Sequence, residues 1–296
     1  MHASLRRAVA ILVFIPLLAA AQETPGKSVL LWRVDSGPST VFLLGSVHVA
    51  RDDIYPLNDY IETAFAGAAR LAVEVDITKM DQASAQKKLL ELGVLPPEAS
   101  LSGLLGPELA GKVREKLAGL GLPDSAFERF KPWVVYMTLA AMELADLGYG
   151  GENGVDLHFL RRAGDREIVE LESLDFQLDL VAGFSDQEQR ELLSEYLEES
   201  VSLPEETAAL FDAWIRGDNA RLSELLSLQP EKSAVDLRIE EVLLRRRDEE
   251  MAKKVQGLLD RPGVSFVVVG AAHLAGPGSI VDLLRKTGYR VVEIRE

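Results

Sequence analysis

The chain has no cysteine. Disulfides, thiolate metal sites and thiol nucleophiles are therefore excluded, and any bound metal must be held by His, Asp, Glu or water. Positive charge is also scarce. The sequence sets 32 Lys and Arg against 47 Asp and Glu, a formal charge of −15. Such a surface argues against nucleic acid and anionic lipid as partners. Histidine is rarer still, with four in 296 residues. A P-loop, a G-x-G-x-x-G after a strand, a G-x-S-x-G elbow and an H-E-x-x-H helix are all missing. Their absence removes the common signatures of nucleotide binding, serine hydrolysis and zincin chemistry. What remains is a chain with 47% hydrophobic residues, enough to bury a sizeable core.

Residues 1–21 read as a leader. Arg6 and Arg7 precede an apolar stretch from Ala8 to Leu18, and Ala19-Ala20-Ala21 supplies a small-residue cleavage site. The expectation is export, to a bacterial periplasm or outside the cell, with no stable span left after cleavage. No other run reaches transmembrane length. A spacer follows at 22–27, and 28–296 reads as one domain. Within it, "SVLLWRV" and "STVFLLGS" flank the turn cluster "DSGP" and predict a hairpin. "RLAVEVD", "REIVELES", "RPGVSFVVVGAAH" and "YRVVEI" supply four more strands. Helical patterns fill most of 77–165 and 174–260, the second being acidic and amphipathic. Six strands mostly separated by helices predict an α/β fold, a central mixed sheet with flanking helices and a large helical insert.

The candidate site lies at the strand ends. "VFLLGSVHVA" ends in Gly45 and His48, and "FVVVGAAHLA" repeats the arrangement with Gly270 and His273. Two more strands end in acids, Glu74 with Asp76, and Glu170 with Glu172. The C-terminal edge of an open α/β sheet is where ligands bind, and imidazole with carboxylate is a usable donor set for Zn²⁺, Mn²⁺ or Co²⁺. A lone histidine at a strand end is ordinarily a loop residue; two in the same G-x-x-H setting make a paired site. Glu74, within an apolar strand, calls for a partner or a metal. Asp156 and His158 form a D-x-H pair, but residues two apart on a helix do not face each other, and Asp156 reads as a first-turn carboxylate. Arg247 and Asp248 stand in a run of charge that reads as a solvated helix face.

In these motifs and their order the sequence resembles the TraB/GumN family, whose animal relatives are the Tiki metalloproteases. The resemblance rests on "LLGSVHVARDDIYPL", "AFAGAARLAVEVD", "GVDLHFLRRAGDREIVELES", "LLRRRDEEMAKKV" and "FVVVGAAHLAGPGSIVDLLRKTGYRV". It implies a fold shared with erythromycin-esterase-like (EreA) and haem-binding ChaN-like proteins. It also implies a site round Gly45–His48, Gly270–His273 and Glu74, and a place for Arg247 and Asp248 in the family pattern. By the same resemblance the activity is that of an Mn²⁺- or Co²⁺-dependent peptidase; in such a centre His48, His273 and Glu74 would bind the metal or position the water, and Glu172 would be a general base or support. Two other readings stay open: metal-independent ester hydrolysis with one histidine as base, and binding of haem or peptide without turnover. The substrate is then a peptide or small molecule, and the sequence leaves the oligomeric state open.

Overall fold

Two of the six strands meet at a tight turn. In the computed structural model, which describes residues 29–199, 203–227 and 233–295, β1 (Leu31–Ser36) and β2 (Ser39–Ser46) pair antiparallel across Gly37-Pro38. The leader at 1–21 and the spacer at 22–27 lie outside the described residues. β3 (Arg70–Val73), β4 (Glu167–Glu170), β5 (Gly263–Gly270) and β6 (Val291–Ile294) complete a sheet of order β4-β3-β5-β2-β1-β6. β4, β3, β5 and β2 are parallel, and β1 is antiparallel to both of its neighbours. This is the mixed α/β sheet the sequence predicts.

The strand sequences explain their places. Phe266, Val267, Val268 and Val269 of β5 are all fully buried. Consecutive apolar residues suit a central parallel strand covered on both faces. β4, with Glu167 and Glu170 exposed, takes an edge. Helix α1 (Asp59–Ala66) follows β2. Between β3 and β4 come α2 (Gln82–Gly93), α3 (Leu101–Gly119), α4 (Pro132–Asp146) and α5 (Val155–Arg161). Between β4 and β5 come α6 (Leu174–Ala182), α7 (Asp186–Glu199), α8 (Leu203–Ile215), α9 (Asn219–Ser227), α10 (Ala234–Glu240) and α11 (Arg246–Leu259). A π-helical segment, Glu241–Arg245, joins the last two. Helix α12 (Ile280–Lys286) precedes β6. The break in α3 is at Gly106, whose φ of +76° is non-helical, just before the Pro107 where the sequence starts a helix.

Phe65 of α1, Phe159 of α5 and Phe266 of β5 meet ring to ring, with centroids 4.8–5.5 Å apart. That cluster fixes α1 and α5 to the sheet. The two helical insertions are not independent. Leu105 and Val113 of α3, Val135 and Leu139 of α4, and Leu193 and Tyr196 of α7 share a second core. Among the described residues, no helix is long and apolar enough to cross a membrane.

Two strands are shorter than the sequence suggests. β3 stops at Val73 and β4 at Glu170. Glu74 and Glu172 thus leave the strands as the first residue after β3 and the second after β4, though Glu172 N–H still donates to Glu74 O at 2.8 Å. The alternation that would put Glu74 and Asp76 on one face ends before either residue.

Candidate active site

Parallel pairing of β2 with β5 lays the two G-x-x-H motifs side by side, with Ser46 opposite Gly270. The fit is close. A Cβ on Gly45 would stand 3.3 Å from Ala271 of the other motif, and one on Gly154 would reach 2.3 Å from the His48 carbonyl oxygen. The approach at Gly154 admits only glycine, and that at Gly45 is tight for any larger residue. β3 lies on the other side of β5, which brings Glu74 up to the same edge.

The two histidines point at one oxygen. Glu74 Oε1 is 3.9 Å from His48 Nε2 and 3.8 Å from His273 Nε2, and it accepts a 2.7 Å hydrogen bond from the Gly270 N–H. Behind each histidine stands an aspartate from a helix. His48 Nδ1 is 2.8 Å from Asp156 Oδ2 on α5, and His273 Nδ1 is 2.6 Å from Asp248 Oδ1 on α11. A carboxylate accepts only, so each Nδ1 carries the proton and each Nε2 is turned towards Glu74. Asp156 Oδ1 also accepts from the Ser46 hydroxyl at 2.9 Å.

Glu74 is held on its other side as well. Arg247 Nη2 donates to Oε2 at 2.6 Å, and Gln177 Nε2 donates to it at 3.0 Å. Arg247 also forks onto Glu172, with Nε 2.9 Å from Oε1 and Nη2 2.8 Å from Oε2, while Gln177 gives Glu172 a further bond of 2.8 Å. Four carboxylates, Glu74, Glu172, Asp156 and Asp248, thus surround one guanidinium and two imidazoles in a nearly dry space. The side chains of Arg247 and His273 are 2% exposed and that of Glu74 4%. Even with both imidazoles charged, the acids stay in excess.

The pKa directions follow from this crowding. Burial opposes ionisation of Glu74, but Arg247 and then the two histidines outweigh it and pull its carboxyl down to about 2. Burial likewise opposes a charged His48, yet Asp156 and then Glu74 push it up to about 9. Asp248 is raised, chiefly by burial, although His273 and Arg247 pull the other way.

Do these residues fit a divalent cation? Among the described residues, no group of three His, Asp or Glu side chains closes to coordinating distance. The donors nevertheless converge. His48 Nε2 is a buried atom with no hydrogen-bond partner, and the Gly270 Cβ that would invade the gap, 3.3 Å from Glu74 Oε1 and 3.6 Å from His48 Nε2, is absent. A small dication holds neighbouring donors about 3.0–3.4 Å apart, so the observed separations of 3.8 and 3.9 Å need to shrink by less than about 1 Å. The excess of carboxylate favours positive charge there, and the aspartates behind the histidines are the outer partners that metal-bound imidazoles use. The set fits.

Of the other residues read from the sequence, Asp156 lies in the first turn of α5 as expected and also joins this cluster, and Arg247 and Asp248 belong to the cluster and not to a solvated face. Asp156 is 6%, Arg247 2% and Asp248 3% exposed. Both oxygens of Glu172 are engaged by Arg247 and Gln177, which places it in support of Arg247. Asp76 is turned away, accepting from Thr78 and pairing with Lys79. His158 is also outside the site. It stacks on Tyr55 at 4.0 Å, and burial followed by Arg162 lowers it to about 4. Gln177 and Ser46 escaped the sequence reading; Ser46 lies inside the first motif, and Gln177 follows Glu172 by little more than a helical turn.

Fold and site together define an α/β protein with a histidine–histidine–carboxylate centre at the C-terminal edge of its sheet. The chain belongs to the TraB/PrgY/gumN family, whose model matches residues 30–293. A protein of Treponema pallidum (strain Nichols) is 25% identical over 275 residues, covering 88% of this chain and 81% of its own. The YbaP protein of Escherichia coli (strain K12) is 25% identical over 258 residues, covering 82% of this chain and 87% of its own. Metalloprotease TIKI1 of Danio rerio is 26% identical over 316 residues, covering 88% of this chain but 62% of its own length. No solved structure matches, so the likeness to esterase-like and ChaN-like folds rests on the sequence resemblance alone.

Proposed function

We propose that this protein is a hydrolase that uses a divalent cation, and that its substrate is a peptide. One observation carries the reading: two imidazole Nε2 atoms and a carboxylate oxygen, delivered by three neighbouring strands, face one another in a carboxylate-rich pocket. The similarity to an animal metalloprotease supports it. His48, His273 and Glu74 would hold the cation. Such an ion lowers the pKa of a water and polarises a carbonyl.

The remaining chemistry falls to the chain itself. Asp156 and Asp248 fix the tautomers of the two histidines and aim Nε2 inwards. Arg247 and Gln177 hold Glu74 ionised and prevent it from rotating. Glu172 balances Arg247, so the guanidinium does not cancel the acid that the centre needs. His48, with 18% of its side chain exposed, is the ligand nearest to an approaching substrate. Stripping the full chain with chelator and adding back Mn²⁺, Co²⁺ or Zn²⁺ while assaying a peptide mixture tests this. Cleavage that returns with metal and is lost in His48→Ala and His273→Ala is expected; cleavage indifferent to both substitutions would refute it.

A second reading has its own support, the His48–Asp156 pair, which becomes a general base without metal where His48 is neutral. Activity that survives chelation but not His48→Ala would favour it. We also propose export through residues 1–21. The mature N-terminus, sequenced from a periplasmic fraction, should begin after Ala21; an intact leader in the cytoplasm would contradict this.

A further inference from the structure

A cavity opens beside His48 and His273, and its walls are almost wholly apolar. Leu144, Tyr149, Phe211, Trp214, Leu226 and Leu243 form most of the side away from the histidines. They come from α4 and the loop after it, from α8 and α9 of the acidic insert, and from the π-helical segment. No Asp, Glu, Lys or Arg is among the described residues that line it, although charged residues make up 27% of the chain. Trp214 uses its N–H on the Gly45 carbonyl at 2.8 Å, which pins α8 to the first motif and leaves that ring only its apolar surface to offer. The space is about 80 Å³, several times the roughly 10–15 Å³ a single water needs. It is continuous with the histidine pair, since Ser46, His48, Gly270 and His273 close its other end.

We propose that this cavity is the subsite for an aliphatic side chain of the substrate, next to the bond the histidine centre cleaves. The proposal rests on the hydrolase reading and names the substrate class for it. A charged side chain entering would lose its hydration and find no partner. A glycine would leave the walls without contact. A branched aliphatic side chain gains the transfer energy of its apolar surface. The lining holds no Lys or Arg for the propionates of a haem. The acidic helices thus have a role beyond solubility: their inner faces roof the cavity.

Three blocked tetrapeptides that differ only at one position, with Leu, Gly or Glu there, test this in two ways. The first reads kcat/KM with the metal-loaded full chain. The second reads binding to the inactive Glu74→Gln protein by calorimetry. The leucine peptide should lead the other two by roughly 10- to 100-fold in both. Leu226→Trp, which fills the cavity, should erase that lead. Leu210→Phe, a smaller filling on α8, should reduce the lead and guards against a Leu226→Trp protein that does not fold. Equal cleavage and equal binding of the three peptides would overturn the subsite while the hydrolase reading stood. Leucine-selective binding, lost on filling, with no cleavage of any peptide would contradict the hydrolase reading and keep the cavity as an apolar ligand site. Neither cleavage nor binding would overturn both.

Discussion

The two histidines occupy the same motif on adjacent parallel strands, and each has an aspartate behind it, yet their surroundings differ. His273 is sealed, with 2% of its side chain exposed, and its aspartate lies on the charged helix α11 beside Arg247. His48 keeps 18% exposure and shares Asp156 with the Ser46 hydroxyl. The difference separates two duties. The His273 side is part of the packed core round Arg247 and sets the geometry. The His48 side is open to a substrate and is backed by a network that has a spare partner.

The harshest way to disturb the sealed side is Arg247→Met. It would leave Glu74 and Glu172 buried without their cation, and the expected loss is about 3–5 kcal/mol in urea unfolding. A loss below about 1 kcal/mol would mean that the acids do not depend on it. Next comes the direct contrast. His273→Ala strands a buried Asp248 and should cost about 2–3 kcal/mol. His48→Ala leaves Asp156 its serine and should cost about 1 kcal/mol or less. Equal losses would erase the distinction drawn between the two sides. Asp156→Asn and Asp248→Asn should each weaken metal affinity by about 10- to 100-fold, as outer partners of metal-bound imidazoles do; calorimetric titrations unchanged from the parent would count against their positioning role.

The mildest effect is on pH. In the metal-free protein His48 sits at about 9 against an ordinary 6.5. Its contribution to stability is therefore complete below about pH 6.5 and lost as pH rises through about 9. Glu74, at about 2 against 4.5, contributes fully above about pH 4.5 and loses its share as pH falls through about 2. The urea midpoint of the metal-free chain should decline between neutral and alkaline pH, and His48→Ala should flatten that decline. An unaltered slope in the variant would assign it elsewhere.

Much of this arrangement is legible in the sequence. Period and turn residues mark the six strands, and the repeated glycine–histidine spacing marks the edge where ligands bind. Glu74 is conspicuous because a carboxylate ending an apolar strand needs a partner. Arg247 and Asp248 are hidden for the opposite reason. They sit in "RRRDEE", where composition signals solvent, and only the packing of α11 after its π-helical turn buries those two while Arg245 and Arg246 stay outside. His158 misleads through proximity to Asp156, because two residues along a helix carry a side chain about 200° round the axis. Gln177 gives no signal at all, since a glutamine on a short amphipathic helix looks like surface.

The most direct test of the histidine–histidine–carboxylate centre is a visible-absorption titration of the chelator-stripped full chain with Co²⁺, set beside the same titration of the His48→Ala/His273→Ala double variant. The account predicts d–d bands that saturate at one equivalent in the parent and are absent from the double variant. No bands in the parent, or the same bands in both proteins, would contradict it.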